Sequence, residues 1–266
     1  MQNNPFSIGY LDVAAAFKRH ALIALLAWQD IQQRYRRSAL GPFWLTISMS
    51  VMIGAIGLVF SQVFKVPTQD FLPFIAIGII LWTFISNVIL EGCSGFIVAE
   101  NIIKQLPIPL FVHILRMVWR NVLILGHNIV IFPLVLIAVG KPLGLIALLS
   151  IPGFILATIN LTWVALVLAT ICARYRDMPQ MVGSLIQVTF YLTPIIWMPT
   201  TISAHVSGYL LDLNPVYHLL EIIRAPLLGT MPTTTNWLVS LAMAVLGTIF
   251  SLAFYGNYRR RIAYWL

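Results

Sequence analysis

The sequence predicts an all-α membrane protein: six transmembrane helices, an N-terminal amphipathic interface helix and short periplasmic re-entrant helices. Three observations predict it. Of the 266 residues, 60% are hydrophobic and only 9% charged, whereas a soluble domain carries about 25% charged residues. The mean hydropathy is +0.91. Apolar stretches close to the roughly 20 residues that cross a bilayer recur along almost the whole chain.

The apolar stretch Ala21–Trp28 is short, follows Lys18 and Arg19, and leads to no small-residue cleavage site, so it is not a signal peptide. The segment Phe17–Arg37 mixes apolar and charged residues. Ala24, Trp28, Ile31 and Tyr35 recur as one helical stripe, with Gln29, Gln32, Gln33 and Arg36 elsewhere on the wheel. That pattern predicts an amphipathic helix in the membrane interface; a simple basic anchor is the plainer alternative. Gly41-Pro42 then breaks the helix.

Six spans follow: Phe43–Phe64, Phe71–Val98, His113–Val139, Leu143–Ile171, Met181–Met198 and Asn236–Tyr258. The fifth is short and carries Pro194. Between the second and third, Ala99–Val112 holds Glu100, Asn101, Lys104, Pro107 and Pro109, a short polar helix stopped by prolines. It suits docking at a membrane surface, and an ordinary loop would serve equally. Pro199–Thr235 is too polar to span and too apolar for a solvated loop. Val216, Leu219, Leu220, Ile223 and Leu227 repeat with helical period after Asn214-Pro215, which predicts short helices dipping into the outer leaflet.

Orientation follows from the basic residues. Thirteen of the sixteen lysines and arginines fall on the side of the N-terminus, and only Lys65, Lys141 and Arg224 on the other. By the positive-inside rule both termini are cytoplasmic. One membrane domain fills residues 1–266, with the interface helix at 17–37, the bundle at 43–258 and periplasmic gate helices at 199–231.

The chemistry is sparse. Gly140-Lys141 is followed by proline, so it is no phosphate-binding loop, and no paired-carboxylate, HExxH or GxSxG motif occurs. Cys93 and Cys172 lack metal-site spacing and read as small buried hydrophobes. The net charge of +8 is spent on one membrane face rather than on nucleic acid. Charge within a span costs about 2.5–3.5 kcal/mol and is kept for function. Glu91 is the main such charge, near a helix end, and His113 and His127 read as packed histidines, so an ion-driven carrier is disfavoured. No catalytic residue and no metal ligand is predicted. Trp82, Phe84, Asn87, Phe190, Tyr191 and Trp197 either belong to the interfacial aromatic belt or line a path for uncharged glycans.

Five stretches together resemble the membrane subunit of ABC-2-type exporters, in the polysaccharide and O-antigen export branch. They are the run from Arg34 to Trp44, Leu106 to Leu110, the turn Arg174 to Met178, Phe190 to Trp197, and Asn214-Pro215 with Arg224. Tyr175 stands where the family usually has Phe. The resemblance covers nearly the whole chain. It implies export of lipid-linked polysaccharide across the bacterial inner membrane by a homodimer with two ATP-binding subunits. ATP and Mg would sit on those partners and no cofactor on this chain. Glu100, Asn101, Lys104 and Pro107 would couple to the ATPase. Arg34, Tyr35, Arg36, Arg37 and Trp44 would receive the substrate at the interface among membrane lipids. There the arginines attract a pyrophosphate, or serve topology and anionic-lipid contact. Arg174, Arg176 and Asp177 would form a cytoplasmic turn that binds or gates, and Asn214, Pro215 and Arg224 a periplasmic gate. The alternatives are capsule, teichoic-acid or small-molecule export by the same fold and, from other classes, a membrane-embedded glycan transferase or a passive channel.

Overall fold

The computed structural model describes residues 4–36, 41, 43–199, 209 and 211–266, the side chains of Arg34 and Tyr35 excepted. Eleven helices are numbered here in order, and no strand occurs among the described residues. The chain opens with α1 (Pro5–Phe17), which the sequence reading overlooked. Its signal was present: Asn4 caps the helix by accepting from the Phe6 N–H at 3.1 Å, and Pro5 occupies the first turn. The pair Lys18-Arg19 separates it from α2 (His20–Tyr35). Along α2 the buried positions are Ile23, Ala27 and Ile31, one face at i, i+4, i+8. Of the expected stripe Ile31 shares that face, Ala24 and Trp28 are exposed, and the Tyr35 side chain lies outside the described residues. The amphipathic helix therefore turns a narrow face to the protein and a second apolar face, with Leu25 and Trp28, outward.

Five apolar helical stretches are long enough to cross a membrane: Phe43–Phe64, Thr68–Cys93, Phe111–Val139, Leu145–Arg174 and Thr234–Trp265. The first is α3 (Phe43–Phe64) and the second α4 (Thr68–Cys93). Short α5 (Glu100–Gln105) follows. The third stretch divides into α6 (Phe111–Asn128) and α7 (Ile131–Val139). The interruption lies where Pro133, lacking an N–H, cannot bond to the Ile129 carbonyl. Gly140 closes α7 in the left-handed conformation (φ 71°), which lets the Lys141 N–H reach the Leu136 carbonyl at 2.9 Å. A 3₁₀ turn, Leu145–Leu149, leads into α8 (Ser150–Arg174).

The helical bounds expected for the fifth span, Met181–Met198, are corrected. It is α9 (Met178–Leu192), 15 residues, about 22 Å at 1.5 Å per residue, against a hydrocarbon core of about 30 Å. Pro194 is the physical reason. It forces Thr193 into extended backbone (ψ 135°) and ends the helix. Five helices are thus long enough to span alone, and the span expected to be short is a 15-residue helix. Then come α10 (Pro215–Leu227) and α11 (Thr234–Trp265).

Helix α4 is the centre of the bundle, buried along most of its length between α3, α6, α8 and α9. Helices α8 and α11 pack tightly together. At their contact Asn160, fully buried, donates to the Ser240 carbonyl at 3.0 Å and accepts from the Trp163 indole at 3.1 Å. Neutral hydrogen bonds of this kind satisfy polar groups where no water reaches. Helix α1 lies so close against α11 that a Cβ at Gly9 or Gly256 would strike the backbone at Leu252 or Pro5. By contrast α3 buries only Met49, Ile53, Gly57 and Ser61 and leaves the rest of its surface bare.

Candidate functional site

The candidate residues collect at the two ends of the bundle and on α4 and α9. At the basic end, α5 carries an exposed i,i+4 ion pair, Lys104 Nζ to Glu100 Oε1 at 2.7 Å. That hydrogen bond and charge hold the Glu100 carboxyl below its usual range. Asn101, Lys104 and Pro107 are all exposed. They are flanked by uncovered apolar side chains, Val98 at 83% exposure and Leu106 at 52%. The turn at Arg174–Asp177 lies at the same end. Arg174 packs over the Trp265 ring at 5.4 Å, and Arg176 donates to the Leu266 carbonyl at 3.5 Å. The structure therefore places the short helix, the turn and the end of α11 on one face.

Two ion clusters, the first half-buried and the second centred on a buried aspartate, brace that end. Asp30 of α2 receives Arg116 Nε at 2.8 Å, a second bond from Arg116 Nη2, and Arg120 Nη1 at 2.9 Å. Arg120 Nη2 continues to Glu91 Oε2 at 2.6 Å, where Asn121 also donates at 2.6 Å. Burial alone would raise the Asp30 carboxyl; the two arginines outweigh it and hold it below the usual range. The second cluster centres on Asp12 of α1, 4% exposed. It accepts from Tyr255 Oη at 2.7 Å, Arg259 Nε at 2.7 Å and the Phe111 N–H at 3.0 Å. Together these ions tie α1 and α2 to α4, α6 and α11. Sequence reasoning saw Glu91, Arg116 and Arg120 but treated the arginines as topology signals. Acid and base lie 86 to 90 residues apart for the Asp30 pairs, too far for any local motif.

At the opposite end the break after α9 meets α10. Asn214 caps α10, accepting from the Val216 and Tyr217 N–H groups at 3.0 and 3.2 Å, while Pro215 fills the first turn. Its amide donates to Thr193 Oγ1 at 2.9 Å. Arg224, 1% exposed, is the largest fully buried side chain among the described residues. Its guanidinium binds Glu221, donates to the Pro194 carbonyl at 2.5 Å, and stacks 4.3 Å from the Phe74 ring centroid. Asn214 and Arg224 thus converge on the Thr193-Pro194 break, while exposed Pro215 only starts α10. Burial and the Glu221 charge push the neighbouring Tyr217 phenol up to about 12.

The aromatic candidates divide. Phe84 is buried against Phe154, centroids 5.5 Å apart, and Trp82 is buried against Phe190 at 5.5 Å. Asn87 and Phe190 are half-buried, and Tyr191 is exposed. Half-buried Trp197 donates its indole N–H to the Tyr191 carbonyl at 3.1 Å. Helix α9 buries Val182 alone, while Gln180, Ser184, Gln187 and Tyr191, at spacings of four, three and four, share an exposed stripe. That stripe was not singled out by sequence reasoning. Its signal was the helical period of polar residues inside an apolar span. Trp44 is exposed at the start of α3 and Arg36 at the end of α2. Arg37 and the side chains of Arg34 and Tyr35 lie outside the described residues, as do 200–208 of the expected gate segment. No group of three histidine, cysteine or acidic side chains is placed to hold a metal among the described residues.

Long apolar helices whose ion pairs, among the described residues, sit toward the bundle ends define a multi-pass membrane protein. The ABC-2 type transporter family model matches residues 21–228, from α2 through α10, and the chain belongs to that family. It is similar to the O-antigen export system permease protein RfbA of Myxococcus xanthus, 24% identical over 218 residues that cover 80% of this chain and 82% of the relative. It is also similar to an O-antigen export system permease protein RfbA of Klebsiella pneumoniae, 23% identical over 212 residues, 79% of this chain and 78% of the relative.

Proposed function

We propose that this chain is the membrane-spanning subunit of an ATP-driven exporter of lipid-linked polysaccharide, with O-antigen the leading substrate. It would lie in the bacterial inner membrane with both termini cytoplasmic. The family and the names of its relatives support transport and the substrate class. Six crossings follow if α9 and the stretch to Pro199 traverse together, which the asymmetry of basic residues favours. The whole chain then acts as one domain, with α10 and its flanks dipping from the periplasmic side as a gate.

One observation carries the conduit. The α9 stripe of Gln180, Ser184, Gln187 and Tyr191 is polar, uncharged and uncovered in a single chain. Amides facing hydrocarbon without partners are costly, so the stripe calls for water or a second protein surface. A second copy related by a two-fold axis provides both: two α9 stripes facing one aqueous seam. Amide, hydroxyl and phenol groups suit a hydrated, uncharged sugar chain, offering donors and acceptors without trapping it by charge. Tyr191, Phe190 and Trp197 would give the sugar rings flat apolar faces.

Energy comes from outside. Two ATP-binding subunits, holding ATP and Mg, would seat on the exposed α5, where Val98 and Leu106 offer apolar contact and Glu100, Asn101 and Lys104 polar contact. Pro107 fixes the direction in which a push on α5 reaches α6. The Asp30–Arg116–Arg120–Glu91 cluster makes α2, α4 and α6 one rigid unit, so that push moves spans rather than bending a loop. Arg174, Arg176 and Asp177 flank the same docking face. The arginines from 34 to 37 with Trp44 would meet the substrate's anchor at the interface. At the far end Arg224 and Asn214 hold α10 to the Thr193-Pro194 break, so movement of α9 is carried to the gate.

Expression in a strain lacking its own O-antigen permease, with the cognate ATPase, tests the reading. Surface polysaccharide should appear with the native chain and fall by at least about tenfold with Gln187→Leu and Ser184→Leu combined, at equal chain abundance. Normal export by that double variant would reject the conduit.

A further inference from the structure

Beyond the conduit, the chain carries a long groove of about 660 Å³ on the flank walled by α2, α6, α8 and α11. That volume is in the range of small-molecule sites. The groove follows α8 from Leu166 to Phe154, about 18 Å along the axis at 1.5 Å per residue. One leaflet of a hydrocarbon core is about 15 Å deep. Its walls are apolar even where the sequence is not. Thr158 and Thr162 each spend the hydroxyl on a carbonyl of their own helix, at 2.8 and 2.7 Å, and Ser251 does so at 3.0 Å. With these donors turned to the backbone, the wall along α8 and α11 is largely apolar and suits an acyl chain.

One end is the opposite in character. There the groove is lined by Phe17 and His20, at the junction of α1 and α2. Lys18, Arg19 and His20 are all exposed there, and among the described residues neither Lys18 nor Arg19 forms an ion pair. The 16-residue α2 begins at His20 with no side chain capping it, so its first N–H groups and dipole also face this point. Arg116 and Arg120, the nearest other cations on α6, are consumed by Asp30 and Glu91.

We infer that this groove is a binding site for an anionic phospholipid, with one acyl chain along α8 and its phosphate at Lys18, Arg19 and the start of α2. The groove lies on helices long enough to span a membrane, so lipid is what surrounds it. The unpaired cations select an anionic headgroup over a zwitterionic one. None of its lining comes from α3 or α9, which separates it from the proposed conduit. A bound chain there would fill the space under the interface helix and hold α2 at a fixed height.

The full-length chain in detergent micelles, supplied with phosphatidylglycerol or phosphatidylcholine and observed by native mass spectrometry, tests this without reference to export. One phosphatidylglycerol per chain should be retained, with phosphatidylcholine at least fivefold scarcer. Lys18→Gln with Arg19→Gln should lower phosphatidylglycerol retention by about tenfold or more, whereas Lys18→Arg with Arg19→Lys should keep it. Ile159→Trp, which plugs the groove, should reduce retention of both lipids. If that variant fails to fold, the charge variants alone decide. Equal retention of the two lipids, no loss in the glutamine pair, or displacement of phosphatidylglycerol by an equimolar polyprenyl phosphate would overturn the assignment.

Discussion

Asp30 is the residue on which the basic end turns. Both of its oxygens are held by arginines, and its side chain is only 11% exposed. Asp30→Asn would leave Arg116 and Arg120 short of an anion, and hydrogen bonds to a charged group contribute about 1.5–3 kcal/mol. A loss of about 2 kcal/mol in thermal or denaturant unfolding is expected, smaller in an Arg116→Met background where the partner is already gone. The carboxyl is held below its usual range by those arginines. Its contribution is therefore complete above the ordinary carboxylate pKa and is lost as pH falls through the lower folded value. A melting series through that acid range should drop for the native chain and stay flatter for Asp30→Asn. At the other end, Arg224→Lys keeps the charge but not the fork that reaches Glu221 and Pro194 together. It should weaken the α10 attachment, read as faster proteolysis between Pro199 and Pro215.

Among the elements, α1 rests on α11 through two glycines that permit backbone contact. Gly256→Leu should expel α1, seen as labelling of a cysteine placed at Val13, while α3 to α9 stay inserted. The elements also show how far the sequence could be read. Five long helices were legible because each is a long apolar run, and α3 was legible to its ends because Gly41-Pro42 and Lys65 bracket it. The short α9 was foreshadowed by Pro194, but its length was not. An apolar run continues to Met198 and masks the stop that Pro194 imposes at Thr193. Asn214-Pro215 announced the start of α10 through local capping chemistry. The stripe on α2 was misplaced by one position, because Trp28 and Ala27 are equally apolar and only packing against α6 selects between them. The ion clusters were illegible for a different reason. A lone Asp12 or Asp30 in a basic N-terminal segment carries no mark of the arginine it will meet.

For the molecule as a whole, the surface is unequal in a way that function explains. Residues such as Val51, Leu58 and Val59 on α3 are bare and apolar, as lipid requires. The α9 stripe is bare and polar, which lipid does not tolerate. The basic end is braced internally and presents α5 outward. Reversing the exposed pair, Glu100→Lys with Lys104→Glu, should leave the fold intact, since a solvent-screened pair contributes little to stability. Co-purification of the ATPase and export should both fall severalfold. The central claim is that α9 faces water in the assembled protein. Maleimide labelling reads this directly, because the reagent attacks a thiolate and thiolates form in water. With Cys93 and Cys172 buried, single cysteines at Ser184, Gln187 and Val51 can be compared in native membranes. The account predicts labelling at Ser184→Cys and Gln187→Cys at least tenfold faster than at Val51→Cys; equally slow labelling at all three would contradict it.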